Sequence, residues 1–379
     1  MKIGIISIME GYPWGGSEEL WYNMAIQAVE SNHEVLVSYK LWDELPEKLK
    51  ILQEKYGVEI LTRNNRTIYP SVWQRGLGKL MNKASENKRI NNFEDIIDRN
   101  PDILFINEGA FTSILHFPDL YNLLLQNSIP YIILSHQNRE YGAIPEDKFL
   151  LANKIYQNAK KVLFVSERNK EMADILLAKS LKNSKVVLNP VNLTKVEKIP
   201  FPVTTIMKLA TVGRLQCAQK GHDILLRALS KLKSKFNFQL TFYGTGEDEF
   251  YLKQLTKYLD LEAQIIFSGY EKDVRSIWKD NQLLVLSSHY EGMPLVVVEA
   301  MLCGRTCVVT DVAGHSEWIE HNINGFISKT PNVNELKVTL ETAFNNFKSW
   351  ETMGKVAFEV ATNKYSNHPG QELLKTILD

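Results

Sequence analysis

Two glutamates, Glu291 and Glu299, stand with seven residues between them in the run SSHYEGMPLVVVEAMLCG, Ser287 to Gly304. The pattern reads as a strand ending near Ser287, then a loop, then a helix. Pro294 suits the first helical position, where a missing N–H costs nothing. Backbone amides at Met293, Leu295 and Val296 then point out of a helix N-terminus, which favours phosphate at the carboxyl edge of a parallel sheet. Gly292 lets a ligand approach the main chain. Glu299 falls about one and a half turns into the helix, where a carboxylate can accept from two neighbouring hydroxyls such as those of a ribose. The plainer reading of Glu299 is a solvated helix residue. Against it, the run Pro294 to Cys303 is nearly all apolar, and a buried carboxylate is costly without partners.

A second group is GRLQCAQKGHDILLRAL, Gly213 to Leu229. Arg214 follows a strand and Lys220 precedes a helix, so both should reach the same carboxyl edge. Two cations and a helix N-terminus can hold a diphosphate and stabilise it as a leaving group without a divalent metal. Either cation alone reads as a surface charge. In GYPWGGSEE, Gly11 to Glu19, Gly15 and Gly16 open the first helix; the alternative is a tight βα turn. The segment does not match G-x-G-x-x-G, which argues against a dinucleotide site. His136 closes the strand YIILS in SHQN, and reads either as a site residue or as a satisfied structural histidine. The remaining histidines have no mutual metal-ligand spacing, so no metal site is assigned.

The elements that must position these residues alternate. Short apolar runs begin at Ile3, His33, Val58, Asp102, Tyr131 and Val162, with helical stretches between several of them, such as Glu18 to Val29 and Phe149 to Ala159. Their lack of clean alternation predicts strands covered on both faces, hence a doubly wound parallel sheet. A second series begins at Lys208, Phe238, Gln264, Gln282 and Thr306. Between the two lies PVNLTKVEKIPFPVTT, with Pro190, Pro200 and Pro202 and no periodic stripe. The expected organisation is an N-terminal Rossmann-like domain over 1–190, a linker over 191–205, a second Rossmann-like domain over 206–362 and a C-terminal helical tail over 363–379. The two sheets are expected to face a central cleft, with the tail packing back on the first domain.

The chain has 379 residues, 44% of them hydrophobic, with 44 Lys plus Arg balanced by 44 Asp plus Glu. That length and balance fit a two-domain globular chain and argue against disorder and against a dedicated nucleic-acid binder. Three cysteines, Cys217, Cys303 and Cys307, give no disulfide framework and point to a reducing, cytoplasmic compartment. No apolar stretch is long enough to span a membrane. Residues 63–90 are the exception to the charge balance, carrying seven cations against the single acid Glu86, with Trp73 and several aliphatics interleaved. One reading is a basic amphipathic surface for peripheral contact with an anionic membrane; the other is a solvated connection.

Taken together, these motifs resemble the retaining glycosyltransferases of family four, the group 1 type with the GT-B fold, which use nucleotide-sugar donors. The resemblance covers nearly the whole chain and is strongest over 208–328. Its most specific element is EGMPLVVVEA, with Glu291 and Glu299; GRLQCAQKG, GGSEE and His136 match further family positions, as do FYGTGEDE, FSGY and VAGHSEWI followed by NGFI. The resemblance implies that Glu299 holds the ribose, that Glu291 contacts sugar hydroxyls, and that Arg214 and Lys220 neutralise the diphosphate. It also implies that the backbone from Gly292 through Met293 and Pro294 to Leu295 lines the donor, and that Gly244, Gly246, Gly269 and Tyr270 lie near the base or ribose. His136 would orient the donor sugar, with Gly15 and Gly16 beside the diphosphate and the acceptor. It implies no metal and no cofactor, the nucleotide sugar being a substrate. The acceptor would be a saccharide, a lipid-linked molecule or a small molecule. The chain departs from the family in having His136-Gln137 for His-Asp, Asn189-Pro190-Val191-Asn192 for Asn-Gly-Val-Asp, and Ala313-Gly314 for Gly-Gly.

Three other readings compete: a nicotinamide-dependent oxidoreductase, which the missing fingerprint disfavours, a non-catalytic nucleotide-sugar-binding protein, and a nucleotide-sugar epimerase, which would not need the paired glutamates.

Overall fold

The computed structural model describes residues 1–63, 92–138, 140, 142–193 and 195–379, together with the backbone of 66–68 and 88–90. The chain divides into two compact units. The first comprises Met1–Phe164, Lys170–Val187 and His368–Asp379; the second comprises Val165–Asn169 and Leu188–Asn367.

The first unit is built on β1 (Lys2–Ser7), β2 (Glu34–Lys40), β3 (Glu59–Arg63), β6 (Ile103–Ala110), β7 (Tyr131–Gln137), β8 (Lys161–Phe164) and β9 (Ser184–Val186). They form one parallel sheet in the order β3-β2-β1-β6-β7-β8-β9. β4 (Arg66–Ile68) and β5 (Lys88–Ile90) make a separate antiparallel pair. The apolar runs become strands because both faces are covered: Ile3, Ile5 and Ile6 are fully buried, and Ile106, Ile133 and Phe164 enter one continuous core.

The second unit repeats the plan with β10 (Met207–Val212), β11 (Phe238–Tyr243), β12 (Ile265–Gly269), β13 (Leu283–Leu286), β14 (Thr306–Thr310) and β15 (Gly325–Ser328). Its parallel order is β12-β11-β10-β13-β14-β15, around its own core of Leu225, Phe242, Val285 and Phe326 among others. Setting aside the β4–β5 pair, both sheets follow the doubly wound strand order of the Rossmann type. In each, the order reverses beside the first strand, between β1 and β6 and between β10 and β13. Ligands of such sheets bind outside the carboxyl ends of the strands at that reversal.

Besides the β4–β5 pair, two strands of the parallel sheets escape the sequence pattern. β9 is only three residues long and half exposed, and β15 begins on a glycine within a mixed segment. Short edge strands carry too few apolar positions to stand out.

The tail forms the helix Pro369–Leu378, which packs along Glu19–Glu30 within the first unit. A Cβ on Gly370 would lie 2.7 Å from the carbonyl carbon of Asn23. Lys161 Nζ donates to the Thr376 carbonyl at 2.7 Å, placing a cation at the negative end of that helix. The proline-rich stretch after Leu188 lies on the second unit. Arg305, fully buried, donates to the carbonyls of Ile199 (3.0 Å), Pro200 (2.8 Å) and Asn281 (2.9 Å).

Candidate functional site

In the second unit, the loops that leave β10 and β13 meet at the sheet's reversal point. Ser287 Oγ donates to the carbonyls of Lys220 (3.0 Å) and Gly221 (2.8 Å), and the His289 amide donates to Gln219 (2.8 Å). These bonds fix Lys220 beside the next loop, where its Nζ donates to Glu291 Oε1 at 2.6 Å. Ser288 Oγ donates to the same oxygen at 2.7 Å. Both ends of the ion pair are largely buried, with side chains 18% and 11% exposed, so solvent screens it little. Burial alone would raise the pKa of Glu291. The Lys220 ammonium, His315 and the two hydrogen bonds outweigh it and hold the carboxyl below its usual range.

His315 belongs to this cluster, although the sequence reading assigned it no role. It is fully buried, its Nδ1 lies 2.6 Å from the Thr310 carbonyl, and its Nε2 has no partner among the described residues. Burial lowers its pKa, with Glu291 and the Thr310 carbonyl pulling the other way. Arg214 is exposed, and its carbonyl accepts from His222 Nε2 at 3.0 Å.

The helix after Glu291 begins at Leu295, with Pro294 as its cap, one residue later than expected. The Leu295 amide donates to Met293 at 2.9 Å, so it is engaged in a turn rather than open to a ligand. Met293 is buried, and its sulfur accepts from the Asn189 amide at 3.0 Å. Glu299 is buried, not solvated; Oε1 accepts from the Asn192 amide at 2.8 Å. Burial pushes its pKa up to about 7, with that amide pulling the other way.

Gly244, Gly246, Gly269 and Tyr270 sit at the carboxyl ends of β11 and β12. The Gly244 amide donates to the Gly269 carbonyl at 2.7 Å, and the Leu215 amide donates to Thr245 at 3.0 Å, which ties these loops to the Arg214 loop. Tyr270 projects outward, 74% exposed.

In the first unit, Gly15 and Gly16 are exposed, and the first helix starts at Glu19, downstream of them. Gly15 closes a turn by accepting from the Glu18 amide at 3.0 Å. Glu18, which the sequence reading passed over, is buried at the reversal between β1 and β6. It accepts from Ser7 Oγ (2.7 Å), Ser17 Oγ (3.0 Å) and Asn107 Nδ2 (3.0 Å). Burial raises its pKa to about 7 against the hydrogen bonds from Ser7, Ser17, Tyr39 and Asn107, which lower it. Asn107 pairs with Ser7 in the β1–β6 register, and its Oδ1 lies 2.8 Å from His136 Nε2. Burial lowers the pKa of His136 to about 3, so the ring is uncharged near neutrality. A buried acid after the glycine turn and an amide at a strand end are the signals that identify Glu18 and Asn107.

Most of residues 63–90 lies outside the described residues. Arg63 itself does not join a basic surface: it is buried, donates to the Ser7 carbonyl and lies 4.5 Å from the Phe93 ring. As the last residue of β3, its side chain follows the strand into the core. Among the described residues, no three His, Cys, Asp or Glu are grouped to hold a metal ion, and no helix is long and apolar enough to cross a membrane.

Residues 194–360 match the model of the family described as glycosyl transferases group 1. An uncharacterized glycosyltransferase of Haemophilus influenzae is 35% identical over 140 residues, 36% of this chain and 39% of that protein. The poly(ribitol-phosphate) alpha-N-acetylglucosaminyltransferase of Staphylococcus aureus is 26% identical over 280 residues, 72% of this chain and 54% of that one. The chain thus spans less than two thirds of the length of these relatives. Among solved structures, a glycosyltransferase of Rickettsia africae superposes with a TM-score of 0.74 at 19% identity, covering 100% of this chain and 99% of that one. The Anabaena protein HepE, solved in complex with UDP and glucose, gives 0.72 at 19% identity, with 99% of each chain covered. The fold is that of the two-domain GT-B glycosyltransferases. Through residues 194–360, the chain is similar to the group 1 glycosyl transferases.

Proposed function

We propose that this chain moves a sugar from a nucleoside-diphosphate sugar to an acceptor hydroxyl, with retention at the anomeric carbon. The observation that carries the reading is the buried Lys220–Glu291 pair at the reversal point of the second sheet, with Ser288 on the same carboxylate oxygen. A cation fixed beside a sugar-binding carboxylate suits the junction between a diphosphate and the sugar it carries. In this reading Arg214 and Lys220 take the diphosphate and Glu291 takes sugar hydroxyls. Glu299 takes the ribose, the Gly292–Leu295 turn and the loops at Gly244 and Tyr270 surround the nucleotide, and His136, Gly15 and Gly16 serve the sugar and the acceptor.

The C1–oxygen bond to the β-phosphate breaks, and its electron pair passes to the phosphate, where the two cations stabilise it. The acceptor oxygen bonds to C1 on the same face, and its proton passes to the departing phosphate oxygen. Side-chain cations do the neutralising, so no divalent metal or cofactor is assigned. The reading is supported by the match over 194–360 and by the Anabaena neighbour's complex with UDP and glucose. The acceptor is a saccharide, a lipid-linked molecule or a small molecule in polysaccharide, glycolipid or glycoconjugate synthesis; the Staphylococcus relative, named for poly(ribitol-phosphate), supports a polymer among these. We infer a cytoplasmic location, with the basic run that follows Arg63, up to residue 90, touching the inner face of the membrane. Co-sedimentation with anionic vesicles that survives deletion of 69–87 would remove that contact.

The deciding experiment is a thermal-shift panel of UDP, GDP, ADP, CDP, dTDP and NAD(H) on wild type and Lys220→Ala. A ligand at about 100 times its Kd should add roughly 2.7 kcal/mol of stability. One diphosphate should shift wild type and not the variant. A shift from NAD(H) alone would overturn the reading. Diphosphate binding without transfer or donor hydrolysis would favour a non-catalytic binder, and epimerised donor would favour an epimerase.

A further inference from the structure

We propose that Glu18 and Asn107 are positioning residues that hold His136 in one neutral tautomer, with the proton on Nε2 and Nδ1 as the ring's acceptor. The inference rests on the donor-sugar role given to His136 above and adds how that ring is set.

The four groups come from four elements and converge at the reversal of the first sheet. Ser7 ends β1, Glu18 precedes the first helix, Asn107 lies on β6 and His136 on β7. None is more than 7% exposed, so water does not compete for their hydrogen bonds. A carboxylate has only acceptor sites, so every neighbour of an ionised Glu18 must donate to it. Ser7 Oγ donates to Oε1 at 2.7 Å, and Asn107 approaches Oε2 at 3.0 Å. Asn107 must therefore present its NH2 to Glu18, which leaves its Oδ1 facing His136 at 2.8 Å. An amide oxygen only accepts, so His136 Nε2 carries the ring proton and Nδ1 is the acceptor. The acid sets the amide, and the amide sets the imidazole. A histidine fixed in this state has its donor at Nε2 and its acceptor at Nδ1. A free ring would divide between two tautomers with opposite preferences.

The experiment uses the full chain with ring-15N histidine, above about pH 8 so that Glu18 is ionised. A long-range 1H–15N correlation spectrum distinguishes the two tautomers, and His136 is assigned by its absence in His136→Asn. Wild type should show the Nε2–H pattern. In Glu18→Gln the new amide offers both a donor and an acceptor, Asn107 is free to turn over, and the pattern should become mixed or reversed. The kcat should fall about 10- to 100-fold, as for other partners that orient a functional histidine. Asn107→Asp keeps an acceptor facing the ring and should retain the Nε2–H pattern, which a general loss of packing would not predict. A wild-type His136 protonated on Nδ1 overturns the proposal, and so does Glu18→Gln with an unmixed Nε2–H pattern. A chain that transfers no sugar while the tautomer responds as described overturns the transferase reading and leaves the tautomer lock standing. A chain that transfers sugar with His136 in the other tautomer overturns the lock alone.

Discussion

Lys220 Nζ stands 2.6 Å from Glu291 Oε1, across two loops that follow different strands of the second sheet. The pair is a product of the doubly wound order: β10 and β13 are neighbours in the sheet although Lys220 and Glu291 are 71 positions apart in the chain. Ser287 and Ser288 hold the loops in register from the same short segment, one through main-chain carbonyls and the other through the carboxylate. Charge and scaffold are therefore coupled at this point.

Removing one partner of that pair should cost stability as well as binding. Lys220→Met leaves a buried carboxylate without its counter-ion, a loss of about 3 kcal/mol. The double variant Lys220→Met/Glu291→Gln should recover most of it, as read from denaturant unfolding; simple addition of the two single losses would show that the pair is not coupled. The pH dependence follows from the lowered pKa of Glu291. An acid whose folded pKa is depressed stabilises the fold above its ordinary pKa, and that contribution disappears as pH falls through the lower folded value. The wild-type fold should therefore keep this contribution at mildly acidic pH, where Lys220→Met has already lost it.

Glu299 behaves in the opposite sense. Its folded pKa, about 7, lies above the ordinary carboxyl value of 4.5, so the folded state binds the extra proton between those values. Stability then falls as pH rises through this window and stays lowered above it, by about 3 kcal/mol at most for one such group. Glu299→Gln keeps the oxygen that accepts from Asn192 but cannot ionise. Its melting temperature relative to wild type should rise from pH 5 to pH 8, while nucleoside-diphosphate binding weakens. A constant difference across that range would show that Glu299 does not titrate in the folded chain.

Much of the second-unit site was legible because its chemistry is written in contiguous motifs. EGMPLVVVEA and GRLQCAQKG each hold their candidate residues within one loop and its helix, so spacing alone points to a carboxyl edge. The burial of Glu299 also followed from its apolar neighbours. What stayed hidden depended on contacts between distant segments. Glu18 looks like an ordinary helix-start acid until Asn107, 89 residues away, is set against it by the β1–β6 pairing. His315 stood in a recognised motif, but nothing local shows its Nε2 buried without a partner. The basic neighbours of Arg63 group it with the run in sequence, whereas at the end of β3 it is buried.

Arg305 offers a test of the scaffold apart from the chemistry. It is fully buried and donates to the carbonyls of Ile199, Pro200, Asn281, Cys303 and Trp278. Burial lowers its pKa to about 10, so it remains charged at neutrality. Arg305→Met fills similar volume but strands those carbonyls without a donor, a loss of about 3–5 kcal/mol. Calorimetry should record a large drop in Tm. The nucleotide-induced shift should survive at temperatures where the variant is folded, because Lys220 and Glu291 are untouched. Loss of that shift in the folded variant would show that Arg305 also supports the site.

Gly221 joins the two questions, since it carries the chain from Lys220 into the following helix. Its φ is +61°, and a Cβ there would lie 2.2 Å from the Ser287 carbonyl oxygen. Both an unfavourable backbone region and a main-chain overlap oppose any side chain, and a carbonyl in a sheet-end loop cannot rotate away as a flexible side chain can. Gly221→Ala should cost at least about 3 kcal/mol and push the Lys220 and Glu291 loops apart. The folded fraction should then lose its thermal response to the nucleoside diphosphate. Gly57→Ala is the matched control: φ is +67°, but apart from its chain neighbours no heavy atom lies within 4 Å of the added carbon. It should lose only about 1 kcal/mol, from backbone strain, and keep the response. If both variants lose binding equally, the overlap with Ser287 is not what sets the site, and left-handed backbone strain alone accounts for the effect.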